Sequence, residues 1–158
     1  MNPLGELLSP DDVHLDLDVS TKAQLLEQIA ALLAARHGLS KSAILESLTA
    51  REQLGSTAMG HGVAIPHARM SQCAGAAGVF VRTKLPIPFD APDGKPVSVF
   101  LGLIVPNQAN ERHLRLLATA AGMLDDRSFR NTLKTVGSPK TVSELLESWP
   151  DLPEARRE

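Results

Sequence analysis

The residues best suited to chemistry crowd into one stretch, Arg51 to Arg69: Arg-Glu-Gln-Leu-Gly-Ser-Thr-Ala-Met-Gly-His-Gly-Val-Ala-Ile-Pro-His-Ala-Arg. It holds two histidines (His61, His67), two hydroxyls (Ser56, Thr57) and an arginine at each end. Three glycines, Gly55, Gly60 and Gly62, lie within eight positions, so the backbone there turns sharply or lies close to something. A neutral imidazole nitrogen is a competent nucleophile near neutral pH. Backbone N–H groups around Gly60 and Gly62 could form an anion-binding concavity, and Ser56 and Thr57 could add hydroxyl donors. Arg51 and Arg69 are candidate cations, because a guanidinium matches the oxygens of a tetrahedral anion bidentately.

Other chemistries fit less well. His61, His67 and His113 could be read as metal ligands, but no carboxylate or cysteine stands at ligand spacing and His-Glu-x-x-His is absent. The glycines are not a nucleotide-binding loop, since no Gly-Lys-Ser/Thr follows them. No serine nucleophile elbow occurs. Neither a bound metal nor another cofactor is expected.

Glu52, Gly55-Ser56-Thr57, Gly60-x-Gly62 and Val63-Ala64-Ile65-Pro66-His67 together resemble the active-site signature of enzyme IIA of the phosphoenolpyruvate-dependent phosphotransferase system. The branch is the fructose/mannitol type, and the likeness is greatest to its nitrogen-regulatory members. It continues through Gly78-Val79-Phe80-Val81, Pro88-Phe89-Asp90, Leu103-Ile104-Val105-Pro106 and His113-Leu114, covering residues 5–148. The resemblance implies that His67 carries a phosphoryl group and that His113 is the second active-site histidine, with Arg51 assisting. Ser56, Thr57, Gly60, His61 and Gly62 are then expected to bind the phosphoryl group, which brings about two negative charges. Nitrogen-regulatory members typically have Asn between the two glycines, where this chain has His61.

The implied function is a phosphocarrier. His67 takes its group from a small histidine-containing phosphocarrier protein, HPr-like or its nitrogen-branch paralogue. It then holds the group as a regulatory signal or, alternatively, passes it to a IIB protein for sugar uptake. A metal-dependent hydrolase is a weaker third reading. The encounter surface is expected to be a shallow apolar rim, with Met59, Met70 and Phe89 as candidates.

These residues need a frame. The chain has 158 residues, 43% hydrophobic and 22% charged, enough for one domain, here taken as residues 1–150 with a short polar tail over 151–158. With four Phe, one Trp and no Tyr, its core must be aliphatic. A formal charge of −2 and few aromatics argue against nucleic-acid binding. Cys73, the single cysteine, excludes an internal disulfide and reads as a small filler residue. No apolar run reaches membrane-spanning length and no signal peptide is evident, so a cytoplasmic location without membrane insertion is expected.

Val13–Asp18 alternates like a half-buried strand, which puts His14 on its polar side. Ser20 should cap a helix over 21–36 closed by Gly38, and Ser40 a second over 41–53. Val63–Ile65 forms a buried strand that Pro66 stops, presenting His67 in one orientation. Residues 76–82 and 97–105 read as buried strands, whereas two prolines bar 85–90 from a central strand. Asn110 should cap a helix to about Leu124, with Leu114, Leu117, Ala118, Ala121 and Leu124 inward. That places His113 in the first turn, where the positive helix end favours an anion. Asp126 and Ser138-Pro139 open two further helices. Strands mixed with helices predict an α/β fold: a single three-layer domain, a mixed β-sheet flanked by helices on both faces.

Overall fold

The computed structural model describes residues 2–108 and 110–150; the polar tail expected over 151–158 lies outside them. Helices α1 (Pro3–Leu7), α2 (Lys22–His37), α3 (Lys41–Gln53), α4 (Glu111–Asp125), α5 (Arg127–Leu133) and α6 (Pro139–Ser148) surround strands β1 (Val13–Leu17), β2 (Ala58–Gly60), β3 (Val63–Ala64), β4 (His67–Met70), β5 (Ala77–Ile87) and β6 (Val97–Pro106). Local chemistry sets the helix starts. The side chains of Ser40, Asn110, Asp126 and Ser138 each accept the N–H three residues on. Thr21, not Ser20, caps α2, completing a capping box with Gln24, and Gly38 ends that helix at φ 66°.

The sheet is mixed and ordered β1-β5-β6-β3-β2, with β4 also on β6. β5 runs antiparallel to β6, while β1 lies parallel to β5, and β3 and β4 parallel to β6. β3 and β4 keep one register along β6, Val63 opposite Val99 and His67 opposite Leu103. They are one strand interrupted at Ile65–Pro66. β5 continues to Ile87, past the predicted end at Arg82, because a register irregularity between Arg82 and Ile87 accommodates Pro86 outside the regular ladder.

One face of the sheet packs under α2 and α3 through Leu25, Ile29, Leu33, Ile44 and Leu48. The other packs under α1, α4, α5 and α6 through Leu4, Leu116, Met123, Leu133 and Leu146. The inward face of α4 is Leu116, Ala120, Met123 and Leu124, so the predicted face is turned by part of a turn and Leu114 is exposed. Two glycines on the central strand pair admit side chains from opposite layers. A Cβ on Gly102 would meet Ile29 Cγ2 at 2.8 Å, and one on Gly78 would meet Leu7 and Leu103 at 3.0 Å. Helix α1 was not among the expected elements, although Asn2-Pro3 is a cap-then-Pro start like Ser138-Pro139. Asn2 is fully buried: its Oδ1 accepts from Gly5 N–H, and its Nδ2 donates to the carbonyls of Leu146 (2.8 Å) and Trp149 (2.9 Å).

Candidate functional site

His67 stands at the first position of β4, directly after the interruption. Pro66 has no N–H for the ladder, but its carbonyl still accepts Leu103 N–H at 2.9 Å. The carbonyl of Ile65 turns instead to the His67 ring and lies 2.7 Å from Nδ1. A carbonyl only accepts, so Nδ1 carries the hydrogen and Nε2 keeps its lone pair. His67 is half-buried, and it alternates with Ala68 and Met70, which belong to the core under α2 and α3. Its ring therefore lies on the opposite face, the one covered by α4.

His113 occupies the third position of α4. Its own N–H donates to Asn110 Oδ1, and its Nδ1 accepts Asn110 N–H, both at 3.2 Å. The ring thus plays the part that Glu or Gln plays in a capping box. With Nδ1 as acceptor, the neutral ring carries its hydrogen on Nε2, a donor at the positive end of a fifteen-residue helix. The two rings are complementary: a lone pair on His67 Nε2 and an N–H on His113 Nε2. Asn110 and His113 line a cleft of about 410 Å³ between α1, residues 74–76 and the start of α4, with Glu6 and Arg112 at its rim.

Arg51 lies in the last turn of α3, half-buried, with Nη1 donating to Gly55 O at 2.8 Å. That contact uses one of its five N–H groups. The loop it holds leads into β2, where Thr57 O accepts Ile65 N–H at 3.1 Å. The Arg51–Thr57 segment therefore borders the Ile65–His67 corner. Arg69 is exposed on β4, two residues beyond His67 on the same face.

The structure places the expected phosphoryl-binding residues in two separate groups. Gly60, His61 and Gly62 form the turn between β2 and β3, and Gly62 O accepts Ser98 N–H at 3.0 Å. Ser98 precedes Leu103, the partner of His67, by five positions, roughly 16 Å along a strand. The turn is therefore at the far end of the interrupted strand from His67. All three residues have positive φ, 86°, 58° and 80°. Asn and His are among the side chains that tolerate this region best, so His61 in place of Asn preserves a backbone conformation. Asp93 Oδ2 accepts His61 N–H at 2.9 Å, and Lys134 Nζ donates to His61 O. Ser56 and Thr57 do border the site, but their hydroxyls are engaged elsewhere, Ser56 donating to Phe89 O at 2.6 Å and Thr57 to Glu52 Oε1. The expected rim also changes. Met70 and Phe89 are 5% and 1% exposed and belong to the core, while Leu54 and Leu114 are 85% and 57% exposed.

Among the described residues, no group of three or more His, Cys, Asp or Glu side chains is placed to hold a metal ion. No helix of those residues is long and apolar enough to cross a membrane. Cys73 is buried, and burial pushes its thiol up.

Residues 6–149 match the model of the family described as "Phosphoenolpyruvate-dependent sugar phosphotransferase system, EIIA 2". The chain belongs to that family. Within the EIIA 2 family it is 37% identical over 144 residues to the nitrogen regulatory protein of Pseudomonas aeruginosa, covering 90% of this chain and 94% of that one. The crystal structure of nitrogen regulatory protein IIA-Ntr from Neisseria meningitidis superposes with a TM-score of 0.85 at 44% identity, covering 90% of this chain and 97% of that one. The fructose-specific EIIABC component of Bacillus subtilis is 25% identical over 144 residues, covering 90% of this chain and 23% of that larger protein. The EIIA 2 fold, a mixed open sheet between helices, is the one predicted.

Proposed function

We propose that this EIIA 2 protein is a phosphocarrier of the nitrogen-regulatory kind, accepting a phosphoryl group on His67 Nε2 from a phosphohistidine of a small histidine-containing carrier protein. The observation that carries the proposal is the 2.7 Å contact between His67 Nδ1 and Ile65 O, which leaves Nε2 as the nucleophile. In the step, the Nε2 lone pair attacks phosphorus while the donor's N–P bond breaks. A donor ring protonated on its other nitrogen departs as neutral imidazole. His67 retains its Nδ1 hydrogen and becomes an imidazolium bearing the phosphoryl group, so no proton changes hands. Ile65 O then faces a positive ring, and that hydrogen bond strengthens as the product forms.

His113 Nε2–H and the remaining N–H groups of Arg51 are the donors assigned to the transferred oxygens, and they act by positioning and charge stabilisation. Leu54 and Leu114 are the rim residues for docking the carrier protein. The 37% identity to a nitrogen regulatory protein over nearly its whole length supports the regulatory reading. The alternative, delivery to a IIB protein for sugar uptake, rests on the 25% identity to a fructose-specific component. The unpaired cysteine fits a reducing compartment, and we place the protein in the cytoplasm.

The test is incubation with phosphoenolpyruvate, enzyme I and carrier protein, followed by assay for an acid-labile, base-stable adduct. Wild type should form it, and His67→Ala should not. Adduct on His67→Ala, with loss in His61→Ala or His113→Ala, would overturn the assignment. Pull-down with His67→Ala separates the two downstream readings: a target other than carrier and IIB proteins favours regulation.

A further inference from the structure

The Ile65 carbonyl selects the reactive nitrogen of His67, so what holds that carbonyl in place matters as much as the ring. Ile65 N–H donates to Thr57 O at 3.1 Å, which fixes one side of the Ile65 residue. Thr57 is fixed in turn by a single carboxylate. Its N–H lies 3.2 Å from Glu52 Oε2 and 3.3 Å from Oε1, and its hydroxyl donates to Oε1. The Glu52 side chain is 4% exposed, and Lys22 Nζ stands 3.0 Å from its Oε2. Both oxygens of this buried carboxylate are thus engaged by Thr57 and Lys22. Lys22 also lies over the Phe89 ring, 4.6 Å from its centroid, and Phe89 O accepts from Ser56. Both residues before β2 are therefore tied to the opposite side of the molecule from α4.

We infer that Glu52 is a positioning residue for phosphoryl transfer, acting through Thr57 and Ile65 to keep the hydrogen of His67 on Nδ1 and the lone pair on Nε2. The inference rests on the proposed role of His67. Glu52 touches no reacting atom. It follows Arg51 directly, so the last turn of α3 gives one side chain to the transferred group and the next to the frame behind the acceptor. When Thr57 loses its carboxylate, the Thr57–Ile65 contact loosens and Ile65 O moves off Nδ1. The ring proton is then free to sit on Nε2, and that tautomer has no lone pair for attack.

The experiment reads the tautomer directly. Long-range proton–nitrogen correlation spectra of protein labelled with ¹⁵N-histidine, recorded where His67 is neutral, distinguish the Nδ1–H and Nε2–H rings without any phosphoryl donor. Wild type should show Nδ1–H. Glu52→Gln and Thr57→Val, each near-isosteric, should show a mixture, while Thr57→Ser restores the wild-type spectrum. Asp90→Asn, which alters only the exposed partner of Lys22, should leave it unchanged. Phosphoryl acceptance by Glu52→Gln should fall on the order of 10- to 100-fold, the scale of an ångström-sized misplacement. If Glu52→Gln does not fold, Thr57→Val decides. A folded variant with the wild-type tautomer and an acceptance rate within about twofold of wild type overturns the inference. A shifted tautomer in a protein that takes no phosphoryl group from any carrier upholds the positioning and sinks the phosphocarrier role instead.

Discussion

Replacing His113 by alanine, glutamine and glutamate separates its work in the helix cap from its work in transfer. The ring closes the capping box through one 3.2 Å hydrogen bond from Asn110 N–H, in a half-exposed setting. Losing it in His113→Ala should cost about 0.5–1 kcal/mol, or roughly 1–4 °C in Tm for a chain of this size. Transfer should suffer more. A donor aimed at developing charge in a closed site is worth about 2.7–4 kcal/mol; scaled down for a half-exposed ring to about 2–3, this slows passage roughly 30- to 160-fold. His113→Gln keeps both the cap acceptor and a neutral donor, so it should recover the melting temperature and part of the rate. His113→Glu is the decisive variant. Glutamate is a preferred residue at this cap position and suits the helix dipole, so the protein should melt at or above wild type. Its charge opposes the phosphoryl group, by ~3 kcal/mol per unit charge at about 5 Å and an effective dielectric near 20. Thermal unfolding and quench-flow transfer from phosphorylated carrier protein provide the two readouts. Wild-type transfer by His113→Ala, or faster transfer by His113→Glu than by His113→Ala, would refute this role.

Two further outcomes are expected. Gly102→Ala should destabilise by about 1–3 kcal/mol, since its methyl group would meet Ile29 at 2.8 Å, and chemical denaturation should show an earlier midpoint. Asp12 is a linkage case. Burial raises its carboxyl, but the N–H and hydroxyl of Ser9 and the Arg36 guanidinium outweigh this and hold it below its ordinary 3.8. A lowered folded value gives stabilisation that is complete above about pH 4 and lost as pH falls through the folded value. Asp12→Asn should therefore lower the melting temperature at neutral pH, by about 1–2 kcal/mol of stability, and flatten the acid limb of the profile.

What the sequence revealed was whatever depends on neighbours a few residues apart. Ser40, Asn110, Asp126 and Ser138-Pro139 placed helix starts because a cap acts within three residues. Pro66 placed His67 for the same reason. The inward face of α4 was misjudged because Leu114, Leu116, Leu117, Ala118, Ala120, Ala121, Met123 and Leu124 spread apolar groups over more than half of the helix circumference. The hydroxyls of Ser56 and Thr57 seemed open to a ligand because their acceptors, Phe89 O and Glu52, are set by the tertiary fold. The glycines at 60 and 62 read as an anion-binding concavity for the site, whereas an extended strand sets their turn away from His67. Helix α1 opens on a local cap-then-Pro pair, Asn2-Pro3, that the reading passes over; only its anchoring, through Asn2 to Leu146 and Trp149, is set by the tertiary fold.

The two glycines on the central strands have a mechanical meaning. Gly102 admits Ile29 of α2 on one face, while one strand over Gly78 faces Leu7 and Leu8 on the other. Both helical layers are thereby keyed into the sheet at neighbouring points, like pegs entering a board from opposite sides. Sliding either layer would drive a side chain from its notch onto a neighbour with a Cβ, so shear between layers is blocked. If the proposed transfer from a carrier protein to His67 takes place, adjustment to the docked partner falls to the loops at the rim and to side-chain rotation, with β4 held as a stationary platform.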